Sequence, residues 1–154
     1  MNFTKNVIGW YLDHSVEREG WMNTYLKFER SLIGRETTIE DSYQIWHSLV
    51  FYNYLQIAMH GPRKAGTNKE YYDASITFYE TLQNNHPDIL IVWGVRLWNS
   101  LPDAGWKDGA QIEIEGYRVL NGYYYLPDGH VVRSVGVYHP SVGYDWGFWH
   151  KVIR

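Results

Sequence analysis

The sequence predicts an α/β fold, a three-layer α/β/α sandwich with a mostly parallel central sheet and a late antiparallel hairpin. The run from Ile89 to Trp93 is apolar throughout and ends at Gly94, which is typical of a central strand buried on both faces. Helical patterns precede and follow this run, so strands and helices alternate as in βαβ units. Late in the chain, the turn tripeptide Pro127-Asp128-Gly129 separates strand-like segments and predicts the hairpin.

Three helices and one strand are predicted in the first third of the chain. The first helix begins after Thr4 and runs to about residue 14, and the third is short and capped by Asp41 or Ser42. The second runs over about residues 20–33 and stops at Gly34. Its inward face, defined by helical spacing, comprises Met22, Tyr25, Leu26, Glu29, Leu32 and Ile33. The β-branched and aromatic run 49–54 predicts a strand.

The remaining two thirds of the chain contain the other predicted elements. Asn68 caps a helix that runs to about residue 84, and a short helix over residues 95–101 follows the buried strand. Residues 111–115 alternate strictly between polar and apolar, which predicts a half-exposed strand. The hairpin joins residues 123–126 to 130–132, residues 135–138 form a further strand, and Asp145 caps a last helix. The alternation places Tyr124 on the opposite face from Tyr123 and Tyr125, which makes this hairpin a candidate contact surface.

The composition limits the classes of protein to which this chain can belong. The 154 residues suit a single domain, and 18% of them are aromatic, which is an unusually large share. The chain contains no cysteine, which excludes a disulfide scaffold, an iron–sulfur cluster and a thiol nucleophile. A formal net charge of −3 excludes a global positive field that would attract nucleic acid or membranes, so any nucleic-acid contact must be local.

The sequence favours a cytoplasmic protein without a cofactor. Its first residues lack the basic and apolar regions of a signal peptide, and its longest apolar run is too short to cross a bilayer. No membrane partner is therefore expected. No Walker loop, GxGxxG or GxSxG motif is present. The seven histidines show no metal-ligand spacing, so no metal site is predicted.

Three predicted strands end in polar or flexible residues: Asn53, Gly94 and His139. If these strands are parallel, their carboxyl ends lie along one edge of the sheet, where open α/β sheets bind ligands. Each residue also has an ordinary structural explanation. Asn53 suits a turn cap, Gly94 suits a βα turn, and His139 before a proline suits a stiffened loop. Taken singly, the structural role is the more frequent one.

A basic loop follows the first predicted strand. It contains Arg63, Lys64 and Lys69 among Gly, Pro, Thr and Asn residues. A flexible basic loop beside a strand end suits contacts to phosphate groups. A solvated surface loop explains the same composition.

The three strand ends form an ordered series that resembles the uracil-DNA glycosylase superfamily, closest to its mismatch-specific branch and less characterised relatives. The matching segments are Phe51-Tyr52-Asn53-Tyr54, then Pro87 to Gly94, then Val137-Tyr138-His139-Pro140-Ser141. The resemblance covers roughly residues 46–150 and implies a parallel-sheet α/β/α sandwich. The absence of cysteine excludes the iron–sulfur branches of that superfamily.

The resemblance also implies roles for individual residues. His139 would donate a hydrogen bond to the carbonyl oxygen of the leaving base, which stabilises the anion as the N-glycosidic bond breaks. Asn53, with Tyr54 beside it, would bind the extruded base, and Pro140 and Ser141 would hold a phosphate. Arg63 and Lys64 are further candidates for contacts to DNA phosphates. The pocket would be completed by Trp93, Gly94 and Tyr138, whose rings or backbone flank the strand ends.

One feature of the superfamily is not found in the sequence. Its first motif is a Gly-rich loop after a first strand, carrying the polar residue that positions the attacking water. Here Met1 leads almost directly into helices, so the chain is expected to be a single glycosylase-like domain that is incomplete at its N-terminus. Without that motif hydrolysis would be severely impaired, because His139 cannot orient a nucleophile.

Three functions are therefore compatible with the sequence. The first is a DNA or nucleobase glycosylase, complete or truncated. The second is a non-catalytic module of the same fold that binds a nucleobase, a nucleotide or a protein. The third is an unrelated α/β domain whose aromatic residues line a ligand or sugar groove. DNA or a nucleobase is the expected partner, and an open sheet edge would favour a homo-oligomer.

Overall fold

The computed structural model describes residues 3–13, 19–54, 67–141 and 143–154, with only the backbone for residues 3–7. The chain divides into two compact units. The helical unit comprises Met1–Tyr52 and Tyr138–Arg154, and the sheet unit comprises Asn53–Val137. In chain order the elements are α1 (Phe3–Leu12), α2 (Met22–Ile33), α3 (Ile39–Ser48), α4 (Asn68–Asn85), β1 (Ile89–Trp93), α5 (Val95–Ser100), β2 (Trp106–Asp108), β3 (Glu113–Ile114), β4 (Tyr117–Arg118), β5 (Leu120–Tyr125), β6 (Val131–Val137) and α6 (Trp146–Ile153).

Local capping signals set the ends of the helices in the helical unit. Helix α3 starts with a capping box. The Thr38 hydroxyl accepts from the Asp41 N–H at 3.1 Å, and the Asp41 carboxylate accepts from the Thr38 N–H at 2.9 Å. Asp41 therefore belongs to the cap, as predicted, but the N-cap residue itself is Thr38. Helix α2 ends at Ile33, and its C-cap Gly34 lies in the left-handed region. Asp145 caps α6 through the Gly147 and Phe148 N–H groups.

Aromatic rings form the centre of the helical unit. Tyr25, Trp46 and Phe51 contact one another edge to face, with ring centres 5.5 to 5.9 Å apart. Residues 50–53 have no regular secondary structure, so the strand predicted over 49–54 is wrong. Phe51 packs into the helical aromatic cluster, and this tertiary contact overrides the local β-propensity of its segment.

Four strands of the sheet unit form one sheet in the order β1-β6-β5-β2. Strands β1 and β6 are parallel, whereas β5 is antiparallel to both β6 and β2. Strands β3 and β4 form a separate small hairpin. The prediction of a three-layer sandwich with a mostly parallel sheet is therefore wrong. The molecule is α/β, with six described helices and a small mixed sheet that is mostly antiparallel.

The chain connections explain this mixed sheet. The turn Pro127-Asp128-Gly129 joins β5 directly to β6, and a tight turn between paired strands makes them antiparallel. The predicted hairpin is confirmed, with Tyr125 opposite Val131. Residues 130–132 and 135–138, predicted as separate strands, belong largely to the single strand β6. A long connection separates β1 from β6, and only this pair of the described strands is parallel.

One face of the sheet is covered by helices of the same unit. Tyr124 on β5 lies 5.3 Å from the ring of Phe78 on α4 and 4.9 Å from that of Trp106 on β2. Trp98 on α5 lies 5.3 Å from Trp106. Tyr124 is 1% exposed, and Val132, directly opposite it, is fully buried. This face holds the core of the sheet unit.

Helix α4 carries 18 residues, the most of any described helix, and confirms the predicted helix over 68–84. The predicted cap, Asn68, is wrong: the N-cap is Thr67, whose hydroxyl accepts from the Glu70 N–H at 3.2 Å. Among the residues that the structure describes, no helix has the combination of length and apolar character needed to cross a membrane.

Candidate functional site

The segment Tyr138-His139-Pro140-Ser141 follows β6 directly and begins the second part of the helical unit. Pro140 is buried, whereas His139 and Ser141 are exposed. The ring of Tyr138 lies 5.0 Å from Trp149 on α6. Tyr138 and Pro140 therefore anchor the segment on both sides of His139. We call residues 138–141 the His139 loop.

Hydrogen bonds within the His139 loop determine which ring nitrogen of His139 carries a proton. The Ser141 N–H lies 3.2 Å from Nδ1 of His139, and a backbone N–H can only donate. Nδ1 is therefore the acceptor, and the Ser141 hydroxyl at 2.8 Å also donates to it. A neutral imidazole that accepts at Nδ1 carries its proton on Nε2. In this loop His139 is therefore a neutral imidazole with its proton on Nε2.

The surroundings of His139 favour the same protonation state. Although the residue is exposed by its accessible area, neighbouring protein atoms remove part of the hydration of its ring. This desolvation disfavours the charged imidazolium and lowers the pKa of His139 from its usual 6.5. At neutral pH the ring is uncharged, so it can act as a hydrogen-bond donor without acting as a cation.

The end of β1 lies beside the end of β6 within the sheet unit. Trp93 is in register with Val137, and the Gly94 N–H donates to the Val137 carbonyl at 2.8 Å. Gly94 has a φ of 100°, which favours glycine, and α5 starts at the next residue. The predicted strand end and βα turn at Gly94 are confirmed. The parallel β1–β6 pair places Gly94 next to the residue that precedes Tyr138 in the chain.

Asn53 and Tyr54 belong to the sheet unit but to none of its strands. The premise that Asn53 ends a parallel strand is wrong, because residues 50–53 are irregular. Asn53 is exposed. Tyr54 is 6% exposed, its ring packs on Tyr71 and Phe78, and its hydroxyl donates to the Tyr71 carbonyl at 3.2 Å. Burial raises the pKa of Tyr54 to about 12, so the hydroxyl remains a donor.

Two predicted phosphate contacts, Arg63 and Lys64, lie outside the described residues. Their neighbour Lys69 is described, and its ammonium group pairs with Asp73 on the next turn of α4 at 2.7 Å. This i, i+4 pair raises the pKa of Lys69 through the carboxylate partner. The basic-loop interpretation therefore stays a prediction.

Glu29 is a buried polar residue that the sequence placed on an inward helix face without assigning it a role. Its side chain has no exposed surface and accepts hydrogen bonds from the hydroxyls of Tyr11 and Ser42, the latter at 2.5 Å. The indole N–H of Trp46 lies 3.4 Å from the same carboxylate. Glu29 on α2 thus connects α1 and α3. In the sequence, a glutamate on the otherwise apolar face of a helix was the signal for a buried polar contact.

A second polar cluster fixes the tip of the β5–β6 hairpin. Nε2 of His86 lies 2.5 Å from the Asp128 carboxylate, which also accepts from the His130 N–H at 3.0 Å. The His130 N–H and then His86 lower the pKa of Asp128. The described residues contain no group of three or more His, Asp or Glu side chains that could hold a metal ion. The cluster of His86, Asp128 and His130 joins the end of α4 to the hairpin turn.

The chain was compared with protein-family models, with curated proteins and with solved structures, and none of the three comparisons returned a match.

Proposed function

We propose that this chain is a uracil-DNA glycosylase-like protein in which His139 stabilises a departing nucleobase. The single observation that carries the proposal is the hydrogen bond from the Ser141 N–H to Nδ1 of His139. It makes Nε2–H the donor, which is the group required to bind the carbonyl oxygen of a uracil-type base. The sheet is not the mostly parallel one that the resemblance implied, so the proposal rests on the His139 loop.

The chemistry assigned to His139 is electrostatic. As the bond between C1′ of the sugar and the base nitrogen breaks, its electron pair stays on the base, and the negative charge spreads to the carbonyl oxygen. A neutral Nε2–H donor at that oxygen stabilises the developing anion, as donors of an oxyanion hole do. Water would supply the hydroxyl group to C1′, and its remaining proton would neutralise the base anion. The Ser141 hydroxyl and the backbone after Pro140 would hold a phosphate beside the extruded nucleotide.

The remaining expectations from the sequence belong to the same proposal. Asn53 would bind the edge of the base, and Trp93, Gly94 and Tyr138 would contribute to its pocket. The partner would be DNA or a free nucleobase, and the location would be the cytoplasm. The sheet has two edge strands, β1 and β2, and homo-oligomerisation would occur through such an edge.

Base release from oligonucleotides that contain uracil or a mismatch tests the proposal. The chain lacks the motif that positions the attacking water, so release by the wild type should be slow. Any release should fall about 100-fold or more in His139→Ala, as on loss of one oxyanion-hole donor. His47→Ala is the matched control. This exposed histidine on α3 stacks on Tyr43, and its removal should leave the rate unchanged.

Binding of the same oligonucleotides separates the catalytic proposal from the non-catalytic module. Saturable binding that weakens in His139→Ala, without base release, would favour the module that binds without turnover. Absence of both release and His139-dependent binding would overturn the assignment of the His139 loop.

A further inference from the structure

We propose that the exposed part of the sheet face opposite Tyr124, near the β5–β6 turn, is a binding surface for single-stranded nucleic acid. Farther along β6 on the same face, Val135 and Val137 are fully buried and lie outside this surface. The strand register shows which residues lie on the face opposite Tyr124. One row of paired residues crosses all four strands, and it consists of Ile89 on β1, Arg133 on β6, Tyr123 on β5 and Lys107 on β2. Tyr125, with Val131 opposite it, lies on the same face. We call these six residues the tyrosine face.

The rings of the tyrosine face are accessible. Tyr123 is 36% exposed and Tyr125 is 45% exposed, whereas Tyr124 between them is buried. The predicted alternation of the three tyrosines is thus confirmed. A sheet that presents aromatic rings to solvent offers flat surfaces on which bases stack, and this stacking tolerates any base because every base has a π-face.

Charge distinguishes this face from a general apolar surface. Tyr123 lies between Arg133 and Lys107 on the neighbouring strands, which are about 4.8 Å away on each side. None of the positions that β1, β2, β5 and β6 place on this face is Asp or Glu. In a chain with a net charge of −3, two cations beside exposed rings form a local site for an anionic partner. A neutral glycan would use the rings but not the cations.

The spacing of the rings favours a single strand over a duplex. Tyr123 and Tyr125 are two residues apart on one strand, which separates them by about 6.8 Å. Successive bases of a duplex are stacked on each other about 3.4 Å apart, so their faces are not available to the rings. A single strand with an extended backbone can place one base on each tyrosine while its phosphates approach the cations.

Lys107 makes a cation–π contact that a bound single-stranded nucleic acid would replace. Its ammonium group lies 5.1 Å from the centre of the Tyr125 ring. A cation–π contact at an exposed site is weaker than base stacking on the same ring. Because the lysine stem is flexible, a base can take the ring face while the ammonium group turns to a phosphate.

Fluorescence anisotropy with the full chain tests this inference. The probes are a labelled oligothymidine of about 12 nucleotides, within the usual range of site sizes, and a duplex of the same length. The single strand is expected to bind more tightly than the duplex. Tyr123→Val and Tyr125→Val should each weaken binding about tenfold, since valine keeps the strand propensity and removes the ring. Lys107→Gln should weaken binding and lower the slope of log affinity against log salt by about one.

Tyr72→Leu is the matched control, because Tyr72 on α4 is also an exposed tyrosine of the sheet unit and lies outside the face. It should leave the affinity unchanged. Three results would overturn the inference: no saturable binding of the single strand at low salt, equal losses in Tyr72→Leu and Tyr123→Val, or Tyr123-dependent binding that is tighter for the duplex or for a neutral oligosaccharide. The tyrosine face shares no residue with the His139 loop, so strand binding and base release succeed or fail separately.

Discussion

Glu29 lies in the helical unit with no exposed surface, although a charged side chain is almost never fully buried without partners. Its hydrogen-bond partners are the hydroxyls of Tyr11 and Ser42 and the indole of Trp46. All three are neutral donors, and they come from helices on either side of α2 in sequence. The carboxylate therefore stabilises the packing of α1, α2 and α3 only while both of its oxygens can accept.

Glu29→Gln tests that role at nearly constant shape. The amide replaces one accepting oxygen with an NH₂ group, which then faces a donor and leaves a buried polar group without a partner. We expect the free energy of unfolding to fall by about 1–3 kcal/mol. Urea denaturation measures it. Ser42→Ala, which removes one donor of the three, should cost about 1 kcal/mol. An unchanged urea midpoint for Glu29→Gln would show that the contacts do not support the packing.

His139 gives the second prediction at this scale, and its sign follows from desolvation. Its pKa is lower in the folded chain than the 6.5 of an unperturbed histidine, so below pH 6.5 the unfolded chain binds more protons at this residue. Folded-state stability from His139 is fully present above pH 6.5 and is lost as the pH falls through the folded pKa. His139→Gln, which does not titrate, removes this dependence.

Urea denaturation of wild type and His139→Gln at about pH 7.5 and at about pH 5.5 measures the effect. The stability of the wild type relative to the variant should decrease at the lower pH. A difference between the two proteins that is equal at both pH values would contradict the lowered pKa. The comparison cancels the other groups that titrate in this range, because both proteins contain them.

Among the elements, those specified by local chemistry were predictable from the sequence. The β5–β6 hairpin, β1 with its Gly94 turn, and the cap of α6 each depend on residues a few positions apart. The irregular structure of residues 49–54 was not predictable from the sequence, because Phe51 contacts Tyr25 and Trp46 in the helical unit instead of a strand partner. Strand pairing depends on distant segments, and the parallel order inferred from the alternation of elements failed for that reason.

The candidate site shows the same division. The sequence predicted the Gly94 turn and the position of residues 138–141 after a strand, but the third strand end, at Asn53, was wrong. The protonated nitrogen of His139 depends on the backbone direction at Ser141, which the sequence does not specify. The cations beside Tyr123 come from β2 and β6, so only the register of the folded sheet reveals them.

Two glycines of the sheet allow the tryptophans to pack against it, which gives a prediction for the sheet as an element. A Cβ atom at Gly122 would lie 2.2 Å from the Trp106 ring and 2.6 Å from the Lys107 carbonyl oxygen, and one at Gly136 would lie 2.9 Å from the Trp98 ring. The Lys107 carbonyl is backbone of the paired strand β2, so relief at Gly122 requires the sheet to distort.

Gly122→Ala should therefore lower the free energy of unfolding by about 1–3 kcal/mol, the usual cost of overpacking. Thermal unfolding followed by near-ultraviolet circular dichroism reports on the tryptophans directly. Gly20→Ala is the control, since a Cβ atom there meets no atom within 4 Å. If the two variants melt alike, the close approach of Trp106 to Gly122 does not limit stability.

At the scale of the whole chain, the helical unit is built from both terminal parts of the sequence. Ser31 on α2 accepts at its carbonyl from Nδ1 of His150 on α6 at 2.9 Å, and its hydroxyl lies 2.7 Å from that of Tyr144. More than 100 residues separate these partners in the chain. Local sequence patterns specify each helix but not this pairing, because contacts so distant leave no periodic signal.

Gly34→Ala tests how closely these two parts of the chain pack. Gly34 has a φ of 76°, and a Cβ atom there would lie 2.5 Å from the His150 ring, which its bond to Ser31 holds in place. Gly143 in the same unit also has a positive φ, 60°, but open space around it. Gly143→Ala should therefore show only the backbone strain, about 1–2 kcal/mol, whereas Gly34→Ala should cost about 1–3 kcal/mol more.

Removing the crowded ring provides the decisive comparison. In a chain that already carries His150→Ala, the cost of Gly34→Ala should fall to that of Gly143→Ala, because only the strained φ remains. The difference between the two backgrounds is the coupling between α2 and α6, and urea denaturation of the four proteins of this cycle measures it. A cost of Gly34→Ala that is the same with and without the His150 ring would show that these parts of the chain do not meet there.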